Sequence, residues 1–277
     1  MKKFLLYLCF LPSFLLGHYQ YDLAICAIFQ NDAKYLPEWI EFHQRQGVQH
    51  FYLYDNLSED NPQAILKPYI DSGLVEVFSW SFTYEKESEW TPIQCGAYMD
   101  CVERIRKTVR WCAFLDTDEF LFSPDFKDLK KVMKNYQEYM GVYAYWVMYG
   151  TSHVKKIPEG EKMLDHLVYR DKKDYTTGKS IVRPKYVHAC VNPHFFIFTK
   201  DFRTVNEKGD PICFDAFFIN DFTAKKLRIN HYWSRDEDFF FNVKIPRRQR
   251  WSNDIQTLLD WNENMNEVYD PILKKNE

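Results

Sequence analysis

The chain has 277 residues, 46% hydrophobic and 18% aromatic, which is enough apolar matter for one large folded domain and too much for a disordered chain. Its 36 basic and 39 acidic residues are well mixed and leave a formal charge of -3, so there is no long basic run for a phosphate backbone, and nucleic acid is not the leading partner. The 12 prolines and 9 glycines form no linker-like stretch, and no repeat runs at solenoid periods.

The first residues stand apart. Lys2 and Lys3 precede the apolar run Phe4 to Leu16, the layout of a secretory signal or a short membrane anchor. The run is shorter than the roughly 20 residues of an ordinary span. Gly17 is a small residue where cleavage could fall, although Leu15 breaks the usual small-x-small pattern. Residues 1–20 are therefore expected to be signal-like, with 1–17 directing or tethering the chain to a membrane or the secretory pathway. The alternative is an apolar element packed on the domain. Residues 21–250 are expected to form the catalytic domain and 251–277 a helical tail.

From Tyr21 onward, short apolar runs alternate with amphipathic stretches. "YDLAICAIF" predicts a buried strand, and "LPEWIEFHQRQG" a helix with Leu36, Trp39, Ile40 and His43 on one face, Pro37 in the first turn and Gly47 as the stop. "HFYLYD" predicts a second strand that ends at Asp55, followed by a helix from Pro62 to about Ile70 and a third strand, "LVEVFSW". A long helix from about Pro92 to Val109 leads into "WCAFLD". This rhythm predicts an α/β layer with a largely parallel sheet, in which ligands sit beyond the carboxyl ends of the strands. Asp55 and Asp116 fall at such ends. Cys26, Cys112 and Cys190 read as small buried hydrophobes, while Cys95 and Cys101 could pair in an oxidising compartment.

"WCAFLDTDEFLF" interrupts an apolar run with Asp116, Thr117, Asp118 and Glu119. Two carboxylates one residue apart at a strand's end can present oxygens to a hard cation such as Mg2+ or Mn2+ that keeps positions open for phosphate oxygens. An acid pair at such a turn is more often a cap or a solvated turn. Here Phe114, Leu115, Phe120, Leu121 and Phe122 flank it, and an unpaired charge beside apolar walls is costly enough that a metal would offset it.

The blocks "AIFQNDAKYLPEWIEFHQRQGVQHFYLYDNLSED", "LDTDEFLF", "GKSIVRP" and "INHYWSRDEDFFFNVK" together resemble the ordered landmarks of glycosyltransferase family 92 and its bacterial relatives, over roughly Tyr21 to Arg250. The resemblance implies a GT-A fold, a Rossmann-like mostly parallel sheet flanked by helices, together with a UDP-sugar donor, a divalent metal (Mn2+ or Mg2+) and inverting transfer of a hexose such as galactose to a glycan or other hydroxyl acceptor. Asp32 stands where the family pattern has glutamate, and "VNPHFF" is an approximate version of the family's next His-containing segment.

Carried over residue by residue, Asp116 and Asp118 are the D-x-D pair, with Asp118 favoured for the metal and Asp116 for the ribose or a metal-bound water. Alternation turns Glu119 to the opposite side. Asp55 would accept a hydrogen bond from uracil, and His231 would complete the metal site. Lys179 and Arg183 are candidates to hold the departing diphosphate, whose charge exceeds what one divalent ion cancels. Trp146 and Tyr149 could line an acceptor site, and His194 is open between acceptor contact and packing. The base expected to take the acceptor proton is Asp165, which matches an acidic position of the family, with Asp215 as the runner-up. Rival readings of the same pattern are a metal-dependent phosphohydrolase, a nucleotidyltransferase and a noncatalytic carbohydrate-binding protein. UDP-sugars are available in the cytosol and in Golgi-type lumens, so a cytoplasmic face of the membrane stays open for the enzyme.

Overall fold

The computed structural model describes residues 19–199, 204–212, 222–251 and 254–274. The N-terminal run through Leu16, Gly17 and Asp215 therefore lie outside the described residues. In chain order the elements begin with β1 (Tyr21–Phe29), α1 (Leu36–Arg45), β2 (His50–Asp55), α2 (Pro62–Asp71), β3 (Val75–Ser79), α3 (Glu87–Ile105), β4 (Val109–Phe114) and β5 (Glu119–Phe122). Next come α4 (Leu129–Met133), β6 (Gly141–Met148), α5 (Met163–His166), β7 (Tyr169–Arg170), β8 (Gly178–Val182), β9 (Val187–Asn192), β10 (Phe195–Phe198) and β11 (Thr204–Val205). The chain ends with β12 (Arg228–His231), α6 (Glu237–Phe239), a π-helical turn (Phe240–Lys244), α7 (Ile245–Arg250), α8 (Ile255–Asn264) and β13 (Val268–Tyr269).

The main sheet runs β3-β2-β1-β4-β8-β6-β12-β5, with β11 added beside β6. Its first four strands are all parallel, β8 lies antiparallel between β4 and β6, and β12 runs parallel to β6 and antiparallel to β5. This is the α/β architecture expected from the sequence, a mostly parallel central sheet flanked by helices. The apolar run of β1 is continuous because both faces of the strand are covered. Leu23, Ile25, Ala27 and Phe29 enter one core with Trp39 and Ile40 of α1, while Ala24, Cys26 and Ile28 enter the opposite core with Tyr98, Cys101 and Val102 of α3.

Two local features hold the site's scaffold. Gly47 ends α1 with φ +98°, a left-handed value that a side chain would resist. The α1 helix is latched to β5 by polar side chains: His43 Nδ1 bonds the Trp39 carbonyl at 2.9 Å, His43 Nε2 accepts the Leu121 amide at 3.0 Å, and Trp39 Nε1 donates to the Glu119 carbonyl at 2.8 Å. These bonds satisfy backbone groups of a strand that β12 pairs on its other side.

The α3 helix starts before the expected Pro92, because Glu89 reaches back to the amides of Glu85 and Lys86 at 2.8 and 3.2 Å and caps an earlier turn. Cys95 and Cys101 both lie on this helix. Six residues at 1.5 Å rise separate them by about 9 Å along the axis, beyond the reach of a disulfide, and both are buried free thiols. The segment after Arg250 packs on the domain through α8, whose Leu258 joins Trp233, Phe240, Ile245 and Met265 in one apolar cluster. Asp270 then accepts from Arg170 Nε and Arg228 Nη2, both at 2.8 Å, beside the β13–β7 pairing. No helix among the described residues is long and apolar enough to cross a membrane.

Candidate active site

β4 delivers Asp116, Thr117 and Asp118 past its carboxyl end, and the chain turns directly back into β5. The turn is closed by its own groups: Glu119 N donates to the Asp116 carbonyl at 3.1 Å, and Asp116 N donates to Glu119 Oε2 at 2.9 Å. Glu119 is fully buried, and alternation does not carry it away from the pair: it lies against Lys179 and His231, the partners of Asp116 and Asp118. Burial pushes its carboxyl well above the ordinary range even with Lys179 near. Among the described residues its Oε1 has no hydrogen-bond partner, and it lies 4.0 Å from both Lys179 Nζ and His231 Nδ1.

β12 brings His231 to this turn. Its register sets His231 opposite Glu119 on one side and Met148 on the other, and the Tyr232 amide donates to the Asp118 carbonyl at 2.9 Å. His231 Nε2 then lies 3.4 Å from Asp118 Oδ1. The π-helical turn carries Lys244 inward, to 3.6 Å from Asp118 Oδ2. Burial alone would raise the Asp118 carboxyl, but His231, Lys244 and Arg235 outweigh it and hold the group well below the usual carboxylate range. Burial also lowers the Lys244 ammonium to about 7 despite Asp118, with Arg248 and Arg247 adding to the shift.

Asp116 is engaged differently. Lys179 Nζ sits 3.0 Å from its Oδ2 and Gln94 Nε2 donates to its Oδ1 at 2.7 Å. Lys179 is itself 1% exposed, so its charge is spent inside the protein on Asp116 and Glu119. Lys179 still lines the cavity, as a diphosphate contact would require, but its nearest charge partner is Asp116. Nearby, Arg235 Nη1 donates to Asp32 Oδ1 at 2.6 Å and Thr117 Oγ1 donates to Asp32 Oδ2 at 2.6 Å. Asp32 is thus a fixed member of the site's wall.

These groups open on a cavity of about 750 Å³ whose wall includes Asp116, Asp118, His231, Lys244, Trp146 and His194. The other expected site residues are placed elsewhere. Asp55 accepts the Ser58 amide at 3.0 Å and caps the turn after β2. Arg183 donates to the Gln137 carbonyl at 2.9 Å and lies over the rings of Tyr186 and Trp111. Asp165 is on α5, whose first amides, Met163 and Leu164, are held by Glu38 of α1 at 2.8 and 3.1 Å. None of the three lines the cavity. For Asp165 and Arg183 the physical reason is the docking of their segments on other faces of the domain. Lys244, Arg235 and Gln94 were missed. Only the basic stretch from Lys244 to Arg250 carried a signal in the sequence.

The donor set fits a divalent ion of limited appetite. Two donors 3.4 Å apart, Asp118 Oδ1 and His231 Nε2, have close to the spacing of neighbouring ligands round an octahedral ion, about 3 Å for bonds near 2.1 Å. No group of three or more His, Cys, Asp and Glu among the described residues could hold an ion. Such a pair suits a metal that draws its remaining ligands from water and a diphosphate.

The sequence profile described as glycosyltransferase family 92 matches residues 21–212. The chain belongs to glycosyltransferase family 92. A family 92 protein of Ricinus communis is 27% identical over 250 residues, covering 86% of this chain and 41% of its own length. The beta-1,4-galactosyltransferase galt-1 of Caenorhabditis elegans is 31% identical over 108 residues, 37% of this chain and 25% of its own. This family 92 chain therefore spans less than half the length of those relatives. Among solved structures, S. aureus TarS 1-349 is similar at 12% identity and a TM-score of 0.39, over 59% of this chain and 47% of that one. At that distance neither ligand nor activity transfers.

Proposed function

We propose that this chain transfers a hexose, galactose first among the candidates, from a UDP-sugar to a glycan or other hydroxyl acceptor with inversion. The observation that carries the reading is the Asp118–His231 pair, two donors on the wall of a large cavity with the cationic Lys244 beside them. Family membership and the galactosyltransferase name of one relative support the choice of reaction and sugar.

Asp118 and His231 would hold the Mn2+ or Mg2+, which when bound supplies positive charge for the diphosphate of the donor. This chain's own residues do the rest. Lys244 and the arginines that follow it on α7, Arg247 and Arg248, bring further positive charge to the same wall, where a departing diphosphate needs it. Lys179 and Gln94 keep Asp116 fixed, and Arg235 with Thr117 keep Asp32 fixed, so the turn is held in place before substrate arrives. Trp146, Trp233 and Trp261 present aromatic surface to the cavity, on which the apolar face of a sugar ring can stack. Residues 1–17 are proposed to direct or tether the chain to a membrane. A chain starting at Tyr19 should then be soluble and active, and loss of its circular dichroism signal would instead place the segment in the domain.

The test of the central reading is release of UDP from UDP-galactose, UDP-glucose and UDP-N-acetylglucosamine, with Mn2+ and with chelator. Metal-dependent turnover of one donor, quickened by a saccharide acceptor, is the expected result. Absence of turnover with every donor, or release of sugar phosphate in place of UDP, would overturn it.

A further inference from the structure

A transfer to a hydroxyl needs a group to take its proton, and the cavity's carboxylates are already committed. Among the described residues, Asp32 is bound by Arg235, Asp116 by Lys179 and Asp118 by His231 and Lys244. Asp171 accepts from the Tyr175 hydroxyl and the Lys173 amide, and Glu267 pairs with Lys172. The imidazole of His194 stands out against them.

His194 occupies the two-residue turn between β9 and β10, and three bonds fix it. Its amide donates to Asn192 Oδ1 at 2.9 Å, its carbonyl accepts from Ser180 Oγ at 2.7 Å, and its Nδ1 lies 2.8 Å from the Gly178 carbonyl. A carbonyl can only accept, so Nδ1 carries the proton and Nε2 is left as a lone-pair acceptor. Its ring packs edge-on against the Trp146 indole at 5.1 Å, whose centroid is 4.5 Å from that of His231. The two imidazoles thus flank one indole on the wall of the same cavity.

We infer that His194 is the general base of the transfer, an inference that rests on the function proposed above. The acceptor oxygen forms a bond to the anomeric carbon as the bond from that carbon to the β-phosphate oxygen breaks. The electron pair of the broken bond leaves on UDP, and the hydroxyl proton passes to His194 Nε2, giving an imidazolium that returns it to solvent. The charged and titratable groups facing the ring are Lys179 on β8, Asp116 on the turn and His231 on β12. Burial, with Lys179 adding to it, lowers the ring to about 4, so it rests neutral at pH 7, with the Nε2 lone pair left by the Nδ1 bond to Gly178.

The experiment follows UDP release from UDP-galactose with Mn2+, first in water alone and then with β-1,4-linked galactose oligomers, for wild type, His194→Ala, His194→Gln and Asp215→Asn. Both His194 variants should lose transfer by on the order of 10²- to 10⁴-fold. Their UDP affinity should stay within about twofold, and added imidazole should restore a measurable part of the rate to the alanine variant. Glutamine keeps the size of the side chain but takes no proton, so it carries the test if the alanine protein folds poorly. Transfer within threefold of wild type in His194→Gln would overturn the assignment. So would a loss of UDP affinity to match, or collapse in Asp215→Asn alone. Inactivity of the wild type with every UDP-hexose strikes instead at the proposed function, which separates the two failures.

Discussion

The two sides of the cavity are built in different ways. The parallel half, β3-β2-β1-β4 with α1 and α3, is held by cores on both faces of the sheet and ends in a turn whose carboxylates are fixed by close partners. The opposite wall, from β12 to β13, has a smaller apolar cluster and is tied on by polar contacts: Asp270 to Arg170 and Arg228, and Asn266 to the Ser152 amide at 2.6 Å. The family match ends at 212, before His231, Arg235 and Lys244. The turn after β4 therefore carries the carboxylates, with Lys179 and Gln94 holding Asp116, and the opposite wall supplies His231, Lys244 and Arg235, which set the charge of Asp118.

The largest effect should come from the pair that joins the halves. Asp118→Asn keeps the side chain's size and opens no cavity, so circular dichroism should be unchanged. It removes the anionic donor, and UDP affinity in Mn2+ should fall together with transfer, the latter by on the order of 10³-fold as several kcal/mol of charge stabilisation are lost. Calorimetric titration with UDP, with and without Mn2+, checks this. An unchanged affinity would detach Asp118 from any metal role and leave the two halves meeting only as structure.

Next in size are two ion pairs, Lys179 with Asp116 under the turn and Asp270 with Arg170 and Arg228 in the opposite wall. Lys179→Met removes the buried ammonium that pairs with Asp116 and lies near Glu119; the Asp116 side chain is 36% exposed and keeps its bond from Gln94, so the loss should be about 1–3 kcal/mol. The double variant Lys179→Met/Asp116→Asn should recover part of that loss, since neither charge is then left alone. Asp270→Asn, in the more solvated wall, should cost about 1–3 kcal/mol and lower UDP affinity as β13 loosens from β7. Coincident unfolding transitions by two probes in each variant would show that the walls are one cooperative unit. Denaturant unfolding of each variant gives the comparison.

The sequence made the parallel half readable because its contacts are periodic. β1 and α1 were predicted at the bounds they adopt or within a residue or two, and Asp116 and Asp118 stood out as acids amid phenylalanine and leucine. The polar wiring could not be read in this way. Arg235 meets Asp32 across 203 positions, and nothing local to either residue announces the other. Lys179 reads as a cation for the diphosphate, but its burial is not legible, because it depends on partners that come from the turn after another strand. Asp55, Arg183 and Asp165 carry the right charge for the chemistry and do not line the cavity. Charge type is a local property, whereas cavity membership is set by long-range packing.

A smaller effect tests the α1–β5 latch. His43 is fully buried and its ring is lowered from 6.5 to about 3, by burial first, with the Trp39 carbonyl opposing. The unfolded chain binds this proton more readily than the folded one. The stability that depends on neutral His43 is therefore complete above pH 6.5 and falls as the pH drops toward 3, at up to about 1.4 kcal/mol per unit. Unfolding midpoints measured between pH 7 and 4 should drop, and His43→Gln should flatten that slope. A slope unchanged in the variant would move the acid sensitivity to other groups.

The smallest effect is expected at Asp165, the carboxylate the family pattern favoured as base. It sits on α5, a single turn anchored to α1 through Glu38 and placed away from the cavity wall that holds His194, Asp116 and Asp118. A side chain outside the cavity cannot take a proton from a hydroxyl bound within it, because proton transfer needs hydrogen-bond reach or one intervening water. Asp165→Asn should therefore leave transfer within about threefold of wild type, where removal of a working base costs on the order of 10²-fold or more. Replacing Asp165 alters local charge near Glu38, and any change should appear as a shift in stability below about 1 kcal/mol. Initial rates and unfolding midpoints of the same preparation separate the two contributions. A collapse of transfer at unchanged stability and UDP affinity would place α5 against the acceptor during turnover, and would require that this element move toward the cavity once substrate binds.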